Sequence, residues 1–223
     1  MKYIVCAFFG YIVGIVNPSY IIAKIKGFDI RTKGSGNAGA SNALILFGKL
    51  TGALCALFDI SKAFFVVMLA ECIYPDFRYA FVTTGVFCVV GHIFPFYMKF
   101  KGGKGLASLS GIVLYYDWKV FLVLLACAVV TVLITDYLCF VPMLSSVAFS
   151  FIYLFFEKDI VGSVMLLLLS LVIALRHAIN LRRIVVGTEM RLSYLWKPQN
   201  EIERLKTVVS DDADALEKHL MKK

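Results

Sequence analysis

Three polar, glycine-rich clusters interrupt an otherwise oily chain: Lys33-Gly-Ser-Gly-Asn-Ala-Gly-Ala-Ser-Asn42, Lys99-Phe-Lys-Gly-Gly-Lys-Gly105 and Arg176-His-Ala-Ile-Asn180. Each sets backbone amides free of bulky side chains beside cations, amides or hydroxyls, the chemistry that holds phosphate oxyanions. In the first, Gly34 and Gly36 let the backbone bend and approach an anion closely. Ser35, Asn37, Ser41 and Asn42 can bond phosphate oxygens or a hydroxyl. The same residues could equally form a flexible loop capping the helix predicted over Ala43–Lys49.

The second cluster is not a Walker A loop. Met98 stands at the first glycine position, and Gly105 where a magnesium-binding Ser or Thr would be. Three lysines around Gly102 and Gly103 still make an anion cradle. Lys99 reads as a solvated charge; Lys101 and Lys104, set between glycines, read as substrate contacts. His92 lies in an apolar stretch, where a hydrogen-bonded structural histidine and a catalytic one are both open. In the third cluster His177 and Asn180 share a helix face, and Arg176 beside them binds a ligand or snorkels at a membrane boundary. Glu189 reads as the ion-pair partner of a nearby arginine rather than as a base. Asp59 and Lys62, inside an apolar run, predict an inward-facing ion pair that supports the site.

Membrane helices must carry these clusters. Of 223 residues, 60% are hydrophobic and 17% charged, against less than half and about a quarter in a soluble domain. Apolar blocks long enough to span a bilayer fall near 3–25, 50–74, 77–98, 118–137, 138–156 and 160–179, with a shorter one at 105–116. They predict an all-α integral membrane protein of about seven transmembrane helices, kinked at Gly10, Gly14, Pro18 and Pro95. The first block is too long for a signal-peptide core and lacks a small-residue cleavage site, so it is expected to be retained.

Lys and Arg concentrate in the links after the first, third and last blocks and are sparse in the alternate links. By the positive-inside rule the N-terminus lies outside, the C-terminus is cytoplasmic, and all three glycine-rich loops share the cytoplasmic face. The net charge of +8 therefore points to lipid headgroups and phosphorylated substrates and away from nucleic acid. The six cysteines lack CxxC spacing and read as buried small hydrophobes. Residues 1–196 form one predicted membrane domain. Residues 197–223 form a cytoplasmic tail, partly helical, with Ile202, Leu205 and Val209 as a weak amphipathic stripe.

Together and in this order, the clusters resemble those of the bacterial acyl-phosphate:glycerol-3-phosphate acyltransferases, the PlsY family. The resemblance rests first on Asp29-Ile-Arg31 running into Gly34-Ser-Gly-Asn-Ala-Gly-Ala-Ser-Asn42. It continues with Gly91-His-Ile-Phe-Pro95 followed by Phe100-Lys-Gly-Gly-Lys-Gly-Leu-Ala-Ser108. It ends with Arg176-His-Ala-Ile-Asn180 followed by Arg182-Arg183 and Gly187-Thr-Glu189. The implied protein is a multi-pass enzyme of the bacterial plasma membrane with a cytoplasm-facing site. It moves a fatty acyl group from acyl phosphate to the 1-hydroxyl of glycerol-3-phosphate, giving lysophosphatidic acid and phosphate, without metal or other cofactor. Its expected partners are those two substrates, membrane lipids and an upstream acyl-phosphate-forming enzyme.

An acyl phosphate is already activated, so orientation and charge stabilisation are what the protein must add. On this resemblance Ser35 and Lys104 contact phosphate and oxyanion, Lys101 and Arg176 bind the second phosphate, and His177 and Asn180 orient the attacking hydroxyl. Either His177 or a phosphate oxygen of the donor takes the proton. No Ser-His-acid or Cys-His set is evident, so transfer is expected to be direct. No Asp stands five places after His92 or His177, so the motif of acyl-CoA-type acyltransferases is missing there. The chain departs from the family at Ser41, where Thr is usual, and at Ile45, where Arg is usual. Lys49, four residues on, is the expected replacement cation. The competing reading, a transporter for a phosphorylated metabolite, calls for an internal repeat, and none is visible.

Overall fold

The computed structural model describes residues 1–197 and 199–208, which contain helices and loops but no strand. The helices are α1 (Lys2–Gly14), α2 (Pro18–Ile25), α3 (Ala40–Phe47), α4 (Lys49–Ile73), α5 (Ala80–Ile93), α6 (Leu106–Tyr116), α7 (Trp118–Thr135), α8 (Phe140–Glu157) and α9 (Ile160–Val185). Residues 199–208 add α10; Val209 and the rest of the expected tail lie outside the described residues. Among the described residues six stretches are long and apolar enough to cross a membrane: α1 with α2, α4, α5 with the turn after it, α7, α8 and α9. α6 is a shorter apolar helix of 11 residues.

The first span is broken by Asn17-Pro18. Pro18 occupies the first helical position, where a missing N–H costs nothing, and Asn17 Oδ1 caps α2 by accepting from the Tyr20 amide at 2.9 Å. The expected kinks at Gly10 and Gly14 are corrected. A Cβ there would sit 2.3 Å from the Thr84 carbonyl oxygen or 2.2 Å from that of Cys88, so these glycines let α1 pack backbone to backbone on α5. Pro95 bends no helix either, since α5 ends at Ile93 and Pro95 opens the turn that follows.

α5 is the most buried of the long helices and α7 the least. Val82, Val89 and Ile93 of α5 join Val67 of α4, Ile112 of α6 and Ile173 of α9 in the main core. α7 packs chiefly on α6 and α8, at the margin of the bundle. Of the cysteines, Cys6, Cys55, Cys88 and Cys139 are buried as expected, but Cys72 and Cys127 are exposed on α4 and α7.

α3 starts earlier than the sequence predicts and stops at Phe47, because Gly48 leaves helical geometry at φ +90°. Lys49 therefore opens a different helix and is exposed. The expected i+4 compensation for Ile45 is corrected, since the two residues share no helix face.

The broken first span frees carbonyls that need donors inside the bundle. Lys62 of α4 donates to the Val16 carbonyl at 2.6 Å and lies 2.6 Å from Asp59 Oδ1. His92 Nδ1 sits 3.1 Å from Lys62 Nζ and 3.3 Å from Asp59 Oδ1. All three side chains are buried. The Lys62 ammonium is thus surrounded by groups of the fold, as the expected inward-facing pair with Asp59 would place it.

Candidate active site

The loop between α2 and α3 is wound around one side chain. Asn42 is fully buried and donates its amide to the carbonyls of Ile30 at 2.9 Å, Lys33 at 3.0 Å and Asn37 at 2.9 Å. Its Oδ1 accepts from the Ser35 amide at 2.8 Å. Gly34 stands at φ +60°, and a Cβ on it would lie 2.2 Å from Asn42 Oδ1, so only glycine lets the loop close over the asparagine. The expected substrate contact by Asn42 is thus corrected: its polar atoms are engaged within the loop, which it organises. Asn17 donates to the Ala38 carbonyl at 2.7 Å and fastens the loop to the break in the first span. Ser35 and Asn37 are half-buried, while Gly36 and Ser41 are exposed.

The segment after α5 folds back on that helix. The amides of Gly102 and Gly103 donate to the carbonyls of Ile93 at 2.9 Å and His92 at 3.1 Å. A Cβ at Gly103 would meet His92 Nε2 at 2.0 Å, and one at Gly102 the His92 carbonyl oxygen at 2.2 Å. These glycines serve close packing and cap the end of α5. The anion cradle expected of Gly102 and Gly103 is corrected, because amides already bonded cannot bind phosphate. His92 meanwhile links the Asp59–Lys62 pair to the turn that carries Lys104. Arg31, paired with Asp29 at 2.6 Å, donates to the Met98 carbonyl at 2.5 Å and the Lys101 carbonyl at 3.3 Å. That ties the first loop to the second and leaves the Lys101 side chain exposed.

α9 supplies the third face. Lys104 Nζ donates to Asn180 Oδ1, and Asn180 Nδ2 donates to Glu189 Oε1 at 2.5 Å. Glu189, expected to pair with an arginine, orients the asparagine instead. Arg176 Nη2 reaches the Gly102 carbonyl at 3.5 Å and lies over the Phe94 ring. Arg183 Nη1 donates to the Ser35 carbonyl at 3.2 Å. Each polar cluster therefore touches the other two. His177 is 4% exposed and its Nδ1 lies 2.8 Å from the Ile173 carbonyl. A carbonyl only accepts, so Nδ1 carries the proton and Nε2 is the acceptor of the neutral ring.

The profile of the glycerol-3-phosphate acyltransferase family matches residues 4–187. The chain belongs to this family. It is 36% identical over 191 residues to the glycerol-3-phosphate acyltransferase of Pseudothermotoga lettingae, covering 86% of this chain and 94% of that one. The Thermosipho melanesiensis enzyme of the same name is 39% identical over 193 residues, covering 86% and 93%. In structure the chain is similar to PlsY (YgiH), an integral membrane glycerol 3-phosphate acyltransferase. In its glycerol 3-phosphate form the TM-score is 0.79 at 28% identity, covering 87% of this chain and 98% of that one. In the lysophosphatidic acid form it is 0.74 at 29% identity, covering 86% and 95%.

In this acyltransferase Lys104 is half-buried among the polar clusters. Burial is the chief cause that lowers its pKa to about 8; Arg183 and Arg176 push the same way, and Glu189 opposes them. The protonated form is the one that stabilises negative charge, so kcat/KM of the free acyltransferase should fall as pH rises through about 8. A bound phosphate favours the ammonium, so kcat should fall only at higher pH. Rate profiles from neutral to strongly alkaline pH check this, and coincident limbs for the two constants would count against it.

The sequence assigned no individual role to Asn17, Arg31 or Arg183 of this acyltransferase. Asn17 carried a usable signal, an Asn-Pro pair inside an apolar run. Arg31 and Arg183 act on backbone carbonyls, and such contacts leave no residue pattern at the receiving position.

Proposed function

We propose that the chain transfers a fatty acyl group from acyl phosphate to the 1-hydroxyl of glycerol-3-phosphate, giving lysophosphatidic acid and phosphate. The reading is carried by one juxtaposition: Lys104 bonds Asn180, Arg176 and Arg183 reach the Gly102 and Ser35 carbonyls, and an apolar cleft begins two residues after Lys104. The cleft holds about 570 Å³ between α6, α7 and α8, lined by residues such as Leu109, Val113, Phe121, Leu124 and Val141. Leu106, two residues after Lys104, belongs to its lining. A fatty chain in the cleft brings its carbonyl to the ammonium.

The 1-hydroxyl oxygen attacks the acyl carbon, the bond from that carbon to the phosphate oxygen breaks, and phosphate leaves with the bonding electrons. Lys104 stabilises the charge that develops, with Asn180 and Glu189 fixing where its ammonium points. Ser35 and Arg183 face the donor phosphate, and Lys101 and Arg176 the acceptor phosphate. His177 Nε2 or a phosphate oxygen takes the hydroxyl proton. The likeness to PlsY in its glycerol 3-phosphate and lysophosphatidic acid forms supports acceptor and product alike.

The distribution of Lys and Arg supports an orientation with the N-terminus outside and the site facing the cytoplasm of a bacterial plasma membrane. Residues 1–196 act as the membrane acyltransferase domain and 197–223 as its cytoplasmic tail. An acyl-phosphate-forming enzyme upstream would deliver the donor.

The test is a vesicle assay with purified protein, glycerol-3-phosphate, and either acyl phosphate or acyl-CoA. Lysophosphatidic acid should form only with acyl phosphate. Equal product from acyl-CoA would overturn the donor assignment, and uptake of glycerol-3-phosphate without acyl transfer would make the protein a transporter.

A further inference from the structure

The chain beyond α9 folds back over the apolar cleft and is fastened at two points. At the first, Asp136, which ends α7, accepts from the Ser193 amide at 2.9 Å, from the Ser193 hydroxyl at 2.7 Å and, through its carbonyl, from the Leu192 amide at 2.8 Å. At the second, Arg204 of α10 donates to the carbonyls of Gly187 at 2.5 Å and Glu189 at 2.7 Å. Arg204 also pairs with Glu201 at 2.5 Å, and the same carboxylate accepts from the Arg191 amide at 2.9 Å. Nearly all of this strap lies beyond residue 187, where the family match ends.

The position of the strap gives it a task. Leu192 and Trp196 line the cleft together with Leu138 and with Leu106, two residues after Lys104. α7, the least buried of the long helices, forms another wall of the cleft. The three bonds at Asp136 join the end of this wall to the strap, beside the strap residues that line the cleft.

We propose that the strap is a latch on the acyl donor. The Asp136–Ser193 pair holds α7 and the strap together, and Leu192 and Trp196 cover the first carbons of the fatty chain, keeping its carbonyl at Lys104. The proposal rests on the reading of the cleft as the acyl-chain site. Asp136, Ser193 and Trp196 are positioning residues; they act on how the donor sits and leave the acceptor alone.

The experiment measures KM for acyl phosphate and for glycerol-3-phosphate separately, in full-length protein. Trp196 is exposed here and would be covered by the bound fatty chain, so Trp196→Ala should raise the acyl-phosphate KM about ten-fold, with the glycerol-3-phosphate KM unchanged. Ser193→Ala should raise the same constant by a smaller factor, and Ser193→Thr, which keeps the hydroxyl, should restore it. A merely structural role would lower kcat or thermal stability without this split between the two substrates. Unchanged acyl-phosphate KM in Trp196→Ala and Ser193→Ala, or an equal rise in both constants, overturns the latch. Should Trp196→Ala fail to fold, the Ser193 pair of variants decides by the same criterion. Ala128→Trp, midway along α7 in the cleft, tests the underlying reading by itself, since it should penalise long-chain donors over short-chain ones. If it does not, the cleft is not the acyl site and the reading beneath the latch fails. If it does while the strap variants do nothing, only the latch fails.

Discussion

Replacing Lys104 with alanine is expected to lower kcat by about 10²–10³-fold, the usual cost of losing one preorganised charge stabiliser. The ammonium is half-buried beside Arg176 and Arg183, and its side chain is held by Asn180, which Glu189 holds in turn. Such a chain of bonds fixes the cation in advance, the preorganisation that its proposed role at the acyl oxygen calls for. The loss should fall on turnover at saturating substrate, with the unfolding midpoint in detergent close to that of the unaltered protein. A folded Lys104→Ala protein retaining more than about a tenth of kcat would remove Lys104 from the chemistry, because that is less than the weakest effect expected of such a group.

Lys62→Met is expected to produce the largest loss of stability, about 3–5 kcal/mol, because it strands the Asp59 carboxylate without its cation. Asp59 is 1% exposed and Lys62 7% exposed, so water cannot take the place of the missing partner. The change also removes the donor to the Val16 carbonyl at the break in the first span. The double variant Asp59→Leu with Lys62→Met should recover part of the loss, since burying no ion costs less than burying one alone. Denaturant or thermal unfolding in detergent measures both. A single-variant loss below about 1 kcal/mol, the range of an exposed pair, would mean that the pair is solvated. Activity should fall along with stability, because His92 packs Nε2 against Gly103 and so transmits any shift of the cluster to the Lys104 turn.

Much of the architecture was legible without coordinates. Apolar length located the spans, and the Asp136–Cys139 break between α7 and α8 fell where length alone required a turn. The family could be read from three short clusters because their order and spacing are properties of the chain itself. Legibility ended where a residue type allows two uses of the same atoms. Gly10 and Gly14 read as kinks because a glycine weakens a helix, yet the approach of α5 turns them into contact points. The i+4 link from Ile45 to Lys49 assumed a continuous helix, and Gly48 ends it. Glu189 read as an arginine partner because many arginines are near it in sequence; the nearest donor in space is Asn180.

By itself the sequence determined that this protein is a bundle of membrane helices bearing anion-binding chemistry, and to which family it belongs. Those are one-dimensional properties: the length of an apolar run, the charge of a link, the order of motifs. Only the tertiary structure decided which polar groups the fold itself takes up. A backbone amide or an asparagine binds whichever partner lies nearest, and that partner comes from elsewhere in the chain. The end of α5 takes the amides of Gly102 and Gly103, and the carbonyls of the first loop take Asn42, so neither is left for phosphate. Lys104, Arg176 and Arg183 remain, held against Asn180 and the carbonyls of Gly102 and Ser35 where α9 packs on α5.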